Sequence, residues 1–502
     1  MENLKVSRLA VTLSVIVVVF MATILFAQSA PGPLRVHSVN PRYFDDGSGK
    51  AVYVSGSHVW GNLQADISTV PTHNIDWTYY LNLIDGLNHN FIRGWNWEDA
   101  YYTPLPYARP GPGTANDGQS KFDLTQYNQT FFDRIRNRAI DAGNRGMYIG
   151  IMLFEGWSIE NKGGSRTPNP WPWHPYNSAN NINGINGDPN GDGQGKEVHT
   201  LDIPTVTAKQ EDYVEHYIDQ LNDLDNIIWE ISNESHAGSA LWQYHIINHI
   251  HSYEAAYKSK QHLVWMNCYG EDFPDSYLFN GPADVVSPHR FNTNYREPPA
   301  STGNKSVILD TDHLWGVGGN VSWVWKSFTR GHHPIFMDPL HNISWYSTSW
   351  NPNDPTYVAI RTALGRTRFY AERMDLAATV PQVQGTSTPS STQHCLYDEG
   401  VEYLVYQPGS GSFTVNLPAG NYDYEWYNPN TGSVVASGTL SWGGGNRTFT
   451  PPFSGIAVLY LLDNDKPVAV INAAPNPGPS PLTVNFDGSG SYDRTLGGSI
   501  VG

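Results

Sequence analysis

Eight short apolar runs, most of them closing on a polar or charged residue, recur along the chain at 55–60, 91–98, 147–154, 226–235, 263–269, 283–289, 306–313 and 334–339. Amphipathic stretches lie between many of them. Over 77–88 the apolar positions are Trp77, Tyr80, Leu81, Ile84 and Leu87, and over 126–144 they are Phe131, Phe132, Ile135 and Ile140. That spacing predicts helices, as do 206–224, 240–257 and 357–375. Strands that are apolar throughout, alternating with helices, are buried on both faces in a parallel sheet. Eight such repeats predict an α/β fold of the (β/α)8 TIM-barrel type. A doubly wound α/β sheet is the structural alternative, because the connections after the fifth and sixth runs are short or obscure as helices.

The fourth run, Ile227-Ile-Trp-Glu-Ile-Ser, ends in Asn233-Glu234, where the strand leaves the core. In a barrel the C-terminal strand ends share one mouth, so polar residues there are candidates for chemistry. Collected from all eight runs, they are His58, Arg93, Glu98, Glu155, Asn233, Glu234, His289, Asp310, Asp312, His313 and Asp338. Two carboxyl groups, one protonated and one ionised, are what cleavage of a glycosidic bond requires. Glu234 on the fourth strand and an aspartate on the seventh would face each other across the mouth. The competing reading of Glu234 is a helix cap or an arginine partner. Arg93 would neutralise the carboxylates. Glu98, Glu155 and Asp338 are open between substrate contacts and structural pairs.

Composition narrows the partners. The net charge of −17 disfavours nucleic acid. Aromatics make up 13 % of the chain, with 17 Trp, and suit stacking on sugar faces. Trp60, Trp95, Trp97, Trp157 and Trp315 are platform candidates, some of them expected to be core. Two cysteines, Cys268 and Cys395, exclude a disulfide scaffold and a Cys-rich metal site. Cys268 reads as a small core residue. No tight metal-ligand spacing occurs, so no cofactor and no metal are expected. Asp188-Pro-Asn190-Gly-Asp192-Gly193 copies half of a calcium loop, but its twelfth position is His199.

At the N-terminus Lys5 and Arg8 precede an apolar stretch over 9–26 and small residues at 27–30. This predicts export by a signal peptide, or a membrane anchor if the segment is not cleaved. A long Asn/Gly/Pro/Trp-rich insertion at 158–202 is expected to wall the mouth. After Asp375, short strands at 402–407, 412–417, 422–427, 434–440 and 456–462 predict a small all-β sandwich domain. Segments 468–472 and 481–491 begin a further β module that stops before it could close a core, and order is expected to be poor there. The expected domains are therefore 1–30 leader, 31–378 barrel, 379–463 β domain and 464–502 truncated module.

Trp229-Glu-Ile-Ser-Asn233-Glu234 resembles the strand-four motif of clan A glycoside hydrolases. The resemblance implies Glu234 as acid/base, Arg93 as the active-site arginine and His289 as the strand-six partner. Tyr424-Glu-Trp-Tyr-Asn-Pro-Asn-Thr-Gly432 and the stretch 449–460 resemble the signature stretches of the C-terminal domain, named for collagen binding, in the apiosidase-like group. The tail resembles a polycystic-kidney-disease (PKD) type module. Strand seven departs from the clan pattern: Asp310-Thr-Asp312-His313-Leu-Trp315 stands where a nucleophilic Glu is usual. Trp315 aligned with the aromatic after the nucleophile points to Asp312, with Asp310 as rival.

The expected catalytic set is therefore Glu234, Asp312 and Asp310. His58, Trp60, Arg93, Trp95, Glu98, Glu155, Trp157, Asn233, His289, His313, Trp315 and Asp338 are expected to touch substrate. The implied activity is a secreted, monomeric glycosidase on plant or microbial poly- or oligosaccharide, through a retaining two-carboxylate mechanism. A non-catalytic sugar-binding barrel is one alternative. A metal-dependent hydrolase using His58, His313 and the aspartates is another.

Overall fold

The computed structural model describes residues 29–67, 74–162, 169–267, 269–270, 273–289, 295–340, 353–464, 472–474 and 485–487. Eight strands form one parallel sheet: β1 (Gly56–His58), β2 (Phe91–Gly94), β3 (Tyr148–Glu155), β4 (Ile227–Asn233), β5 (Val264–Asn267), β6 (Val285–Ser287), β7 (Ser306–Asp310) and β8 (His333–Met337). Their order is β1-β8-β7-β6-β5-β4-β3-β2, so the sheet runs in sequence order from one edge and returns to β1. At that seam Asn90 donates its backbone N–H to the Ser55 carbonyl (3.0 Å). A Cβ on Gly56 would lie 2.0 Å from the Phe91 carbonyl oxygen, so only glycine lets the two strands meet. All eight predicted strands form, and the sheet is a near-closed barrel.

The helices α1 (Trp77–Gly86), α2 (Gln129–Gly143), α3 (Pro204–Leu221), α4 (Ala240–Tyr257) and α7 (Pro355–Ala371) match the amphipathic stretches. Asp76 caps α1 through the Tyr79 N–H, and Trp77, Tyr80, Leu81 and Ile84 face inward. The fifth connection holds only the five-residue α5 (Asp275–Phe279), and the sixth holds no helix among the described residues. Between β7 and β8 lies α6 (Val321–Thr329), which the sequence reading passes over. Asn320 caps it, and it buries Trp323, Trp325 and Phe328.

The barrel floor is an apolar layer of Phe91, Tyr148, Ile228, Trp265, Val285, Ile308 and Ile335. Leu34, Phe44 and Val54 of the N-terminal segment seal it from below. That segment forms a small antiparallel sheet of Arg35–Val36, Phe44–Asp45 and Ala51–Val52, with residues 46–50 turning between the last two.

The C-terminal region forms a six-stranded antiparallel sheet: β9 (Val380–Pro381), β10 (Cys395–Asp398), β11 (Glu402–Gln407), β12 (Phe413–Asn428), β13 (Ser433–Phe449) and β14 (Ala457–Asp463). Its order is β9-β10-β11-β14-β12-β13. The predicted strands 412–417 and 422–427 merge into β12. The gap between them, 418–421, instead continues the ladder, with Ala419–Asn421 opposite Ser441–Gly443. Pro418 is tolerated because the β12–β14 ladder spans only Tyr422–Tyr427. Phe413 and Trp426, thirteen residues apart on β12, have ring centroids 5.9 Å apart. A straight strand would hold them roughly 40 Å apart, so the long hairpin folds back over an inner layer of Tyr403, Val405, Leu459 and Leu461. One continuous sheet thus wraps around a core of its own.

The sheet's other face carries Leu404, Tyr406, Tyr427, Val458 and Tyr460. It packs on Trp325 and Phe328 of α6 and on Tyr370 of α7. Of the tail, the described part is a two-stranded ladder, Asn472–Ala474 with Asn485–Asp487. Residues 1–28 of the expected leader and Cys268 lie outside the described residues. No helix of the described residues is long and apolar enough to cross a membrane.

Candidate active site

Arg93, fully buried on β2, is the hub. Its Nε donates to both Glu230 carboxylate oxygens (3.1 and 2.9 Å), and its Nη2 to Glu230 and to Asn233 Oδ1 (2.5 and 2.7 Å). Its Nη1 donates to Asp310 Oδ2 and Asp312 Oδ2, both at 3.0 Å. Three carboxylates on one guanidinium leave surplus negative charge in a site shielded from water. Burial opposes the Arg93 charge, but these carboxylates more than offset it and raise its pKa. Burial also raises Glu230, against the pull of Arg93.

Asp310 is fully enclosed. Its Oδ1 accepts from the Asp312 backbone N–H (2.9 Å) and pairs with His58 Nε2 (2.9 Å). The Trp95 indole N–H donates to His58 Nδ1 (2.8 Å), so that nitrogen carries no proton and Nε2–H donates to Asp310. Burial would raise Asp310, yet His58 and Arg93 hold it well below the ordinary range. Asp310 is a fixed anion with every oxygen occupied. Asp312, two residues on, opens a helical turn, Asp312–Trp315, and keeps 11 % of its side chain exposed.

Glu234 faces it. One carboxylate oxygen of Glu234, one of Asp312 and a ring nitrogen of His313 all lie within 4.8 Å of one another. Glu234 Oε2 accepts from the Trp157 indole N–H (2.7 Å), and His289 Nε2 lies 3.7 Å from Oε1. Burial pushes Glu234 up, but His289, His313 and the Trp157 indole bring it below the usual range. Asp312 is pushed well above its ordinary value by burial and then by the charges of Glu234 and Asp310. The two carboxyl groups are thus driven apart in acidity, Asp312 holding a proton more readily than Glu234.

Around the pair, Asn233 Nδ2 donates to Glu155 (3.0 and 3.2 Å). Burial raises Glu155 to about 8. Glu98 accepts the Glu155 backbone N–H (2.7 Å). Burial would raise Glu98 too, but His174 and His199 of the insertion, 3.6 and 3.8 Å away, hold it at about 2. His313 Nδ1 meets Ser287 Oγ at 3.0 Å, and burial lowers its pKa to about 3.

The structure brings His58, Arg93, Glu155, Asn233, Glu234, His289, Asp310, Asp312 and His313 into one connected group. Trp157 and Trp315 are half-buried at its edge. Trp60, Trp95 and Trp97 are buried, and Trp97 stacks on Tyr102 (4.6 Å). Asp338 gives both oxygens to Arg361 (2.7 and 2.9 Å), tying β8 to α7. Glu98 serves the backbone of β3.

The partners passed over in the sequence are Glu230, Asn267 and His174, and His199 reads only as a calcium-loop position. Only Glu230 leaves a trace there, as a charge in the middle of an apolar run. His58 has both ring nitrogens taken, and among the described residues the group placed to hold a metal is Glu234, Asp312 and His313. Asp188 caps the backbone N–H groups of Gly191, Asp192 and Gly193, while His199 packs against Ser235. The calcium-loop pattern thus lacks its twelfth ligand.

A parallel (β/α)8 barrel with an added antiparallel sheet is the class this architecture defines. The comparisons agree with it in fold. The chain aligns over 87 % of its length, and 98 % of the other's, with a structure described as a glycoside hydrolase, at TM-score 0.57 and 14 % identity. A glycoside hydrolase family 5 protein from Bacteroides vulgatus aligns over 88 % of this chain and 96 % of its own, at TM-score 0.56 and 15 % identity. Residues 63–280 match a family described as "Domain of unknown function (DUF6298)". No curated protein matches the chain in sequence.

Proposed function

We propose that the protein is a glycoside hydrolase in which Glu234 and Asp312 are the two reacting carboxyl groups. The observation that carries this reading is their placement, with carboxylate oxygens within 4.8 Å of each other at a barrel mouth. Oxygens this near favour the roughly 5–5.5 Å carboxyl spacing of retaining enzymes over the roughly 6.5–9.5 Å that leaves room for a water in inverting ones. Asp312 takes the nucleophile's role and Glu234 the acid's. Arg93, 3.0 Å from Asp312, supports the aspartate's charge as it attacks. Asp310, held by His58 and Arg93, sets the local charge and does not attack.

The half-buried Trp157 and Trp315 form sugar platforms on either side of the bond, which suits a poly- or oligosaccharide. The residues at 424–432 and 449–460 favour the apiosidase-like group, and the apolar leader favours export. On this reading 31–378 is the catalytic unit and 379–463 a supporting one, followed by the PKD-like segment 464–502.

The test is hydrolysis by the purified protein across plant polysaccharides and aryl glycosides, with product stereochemistry followed by NMR. Wild type is expected to turn over with retention, and Asp312→Asn to lose activity on every substrate. Glu234→Gln should keep activity on aryl glycosides whose leaving group needs no acid. Binding without turnover on the whole panel would reject the glycosidase reading. Loss of all activity on exhaustive chelation would move the function to a metal on Glu234, Asp312 and His313.

A further inference from the structure

Glu234 has a backbone φ of +44°. Non-glycine residues seldom enter this left-handed region, and glutamate is not among those that favour it. Two neighbours hold it there. Asn267, the last residue of β5, accepts the Glu234 backbone N–H on Oδ1 at 2.9 Å. On the opposite side, a Cβ at Gly156 would lie 2.5 Å from the Glu234 carbonyl oxygen, so the absence of a side chain admits that carbonyl. The positive φ turns the Glu234 side chain toward the Trp157 indole, which donates to it at 2.7 Å.

The Asn267 amide can work only one way round. Its Nδ2 donates to Glu230 Oε1 at 2.6 Å, and Glu230 is clamped on Arg93. A carboxylate at that distance accepts only, so it fixes the NH2 end and leaves the oxygen end for Glu234. The charge network under the mouth therefore reaches the backbone of Glu234 through a single side chain.

We infer that Asn267 is a positioning residue, oriented by Glu230, that holds Glu234 in its left-handed conformation and so aims its carboxyl group at the reacting bond. This rests on the reading of Glu234 as a reacting group. Removing the amide leaves the strained conformation without its N–H acceptor. Glu234 then relaxes, and its carboxyl group moves off the Trp157 indole. Misplacing a catalytic group by about 1 Å costs on the order of 100-fold in rate.

The test pairs two variants with crystal structures. In Asn267→Ala, kcat is expected to fall about 100-fold with KM little changed, and Glu234 to leave its positive φ. Asn267→Asp still accepts the Glu234 N–H, but its second oxygen meets Glu230 and needs a proton between them. Its activity should approach wild type at acid pH and fall as pH rises, through an ionisation that wild type lacks. This variant also keeps the question open to measurement if Asn267→Ala does not fold.

Wild-type kcat in Asn267→Ala, or a wild-type pH profile in Asn267→Asp, would overturn the inference. An unmoved Glu234 in the Asn267→Ala crystal structure would do the same. If wild type turns over no glycoside, the functional reading fails, and the same crystal comparison still decides the role of Asn267.

Discussion

Replacing Arg93 by Met keeps most of the side-chain volume and removes the cation on which Glu230, Asp310 and Asp312 converge. Glu230 and Asp310 are fully buried. Breaking a buried ion pair by deleting one partner costs about 3–5 kcal/mol, because the remaining charge has no compensation. Each stranded carboxylate can escape by taking a proton, so the loss depends on pH. In the variant the folded-state pKa values of Glu230 and Asp310 lie above those of the unfolded chain, near 4. Groups raised in this way lose stability as pH climbs from the unfolded value toward the folded one.

Arg93→Met should therefore be close to wild type at pH 4 and about 3–5 kcal/mol less stable at pH 7.5. Urea unfolding at the two pH values, with the slopes compared, measures the difference. Adding Glu230→Gln to the variant should recover part of the loss at pH 7.5, since a neutral amide need not hold a charge there. An equal loss at both pH values would refute the reasoning and leave packing as the cause.

Glu155, raised to about 8 by burial, holds its proton more tightly folded than unfolded. Wild-type thermal stability should thus decline as pH rises between about 5 and 8, and Glu155→Gln should flatten that decline in a melting series. Trp325 is fully buried, with ring centroids 5.9 Å from Tyr370 and 5.5 Å from Tyr427. Trp325→Ala should cost about 3–5 kcal/mol and split one calorimetric transition into separate barrel and sheet transitions. Gly56→Ala puts a methyl group 2.0 Å from the Phe91 carbonyl and should prevent barrel closure. It is expected as insoluble protein, and a soluble variant with wild-type melting would contradict the seam described above.

Much of the barrel was legible because burial leaves a periodic mark. A strand covered on both faces must be apolar throughout, and a helix lying on it must be apolar every three or four residues, so β4 and α3 can be read directly from 206–235. The Asn233-Glu234 pair was legible for the same reason, as polarity where an apolar run ends. α6 was missed because Trp323, Trp325 and Phe328 face two partners, the barrel and the C-terminal sheet, and this blurs its polar side. The break expected between the strands at 412–417 and 422–427 proved to be strand, since the ladder to β13 outweighed local preference.

The roles within the site belong to the tertiary structure. Strict alternation along β4 would send Glu230 and Asn233 to opposite faces, yet both bond Arg93. Asp310 and Asp312 are equivalent as letters. They differ because His58, Arg93 and a backbone N–H enclose one and leave the other facing Glu234. Asn267 reads as an ordinary polar residue until the positive φ of Glu234 shows what its amide holds. The sequence by itself determined which residues must be buried and which strand ends must meet. Which carboxyl group keeps its charge was decided only by folding, because a pKa depends on burial and on charges a few ångströms away, and these come from segments far apart in the chain.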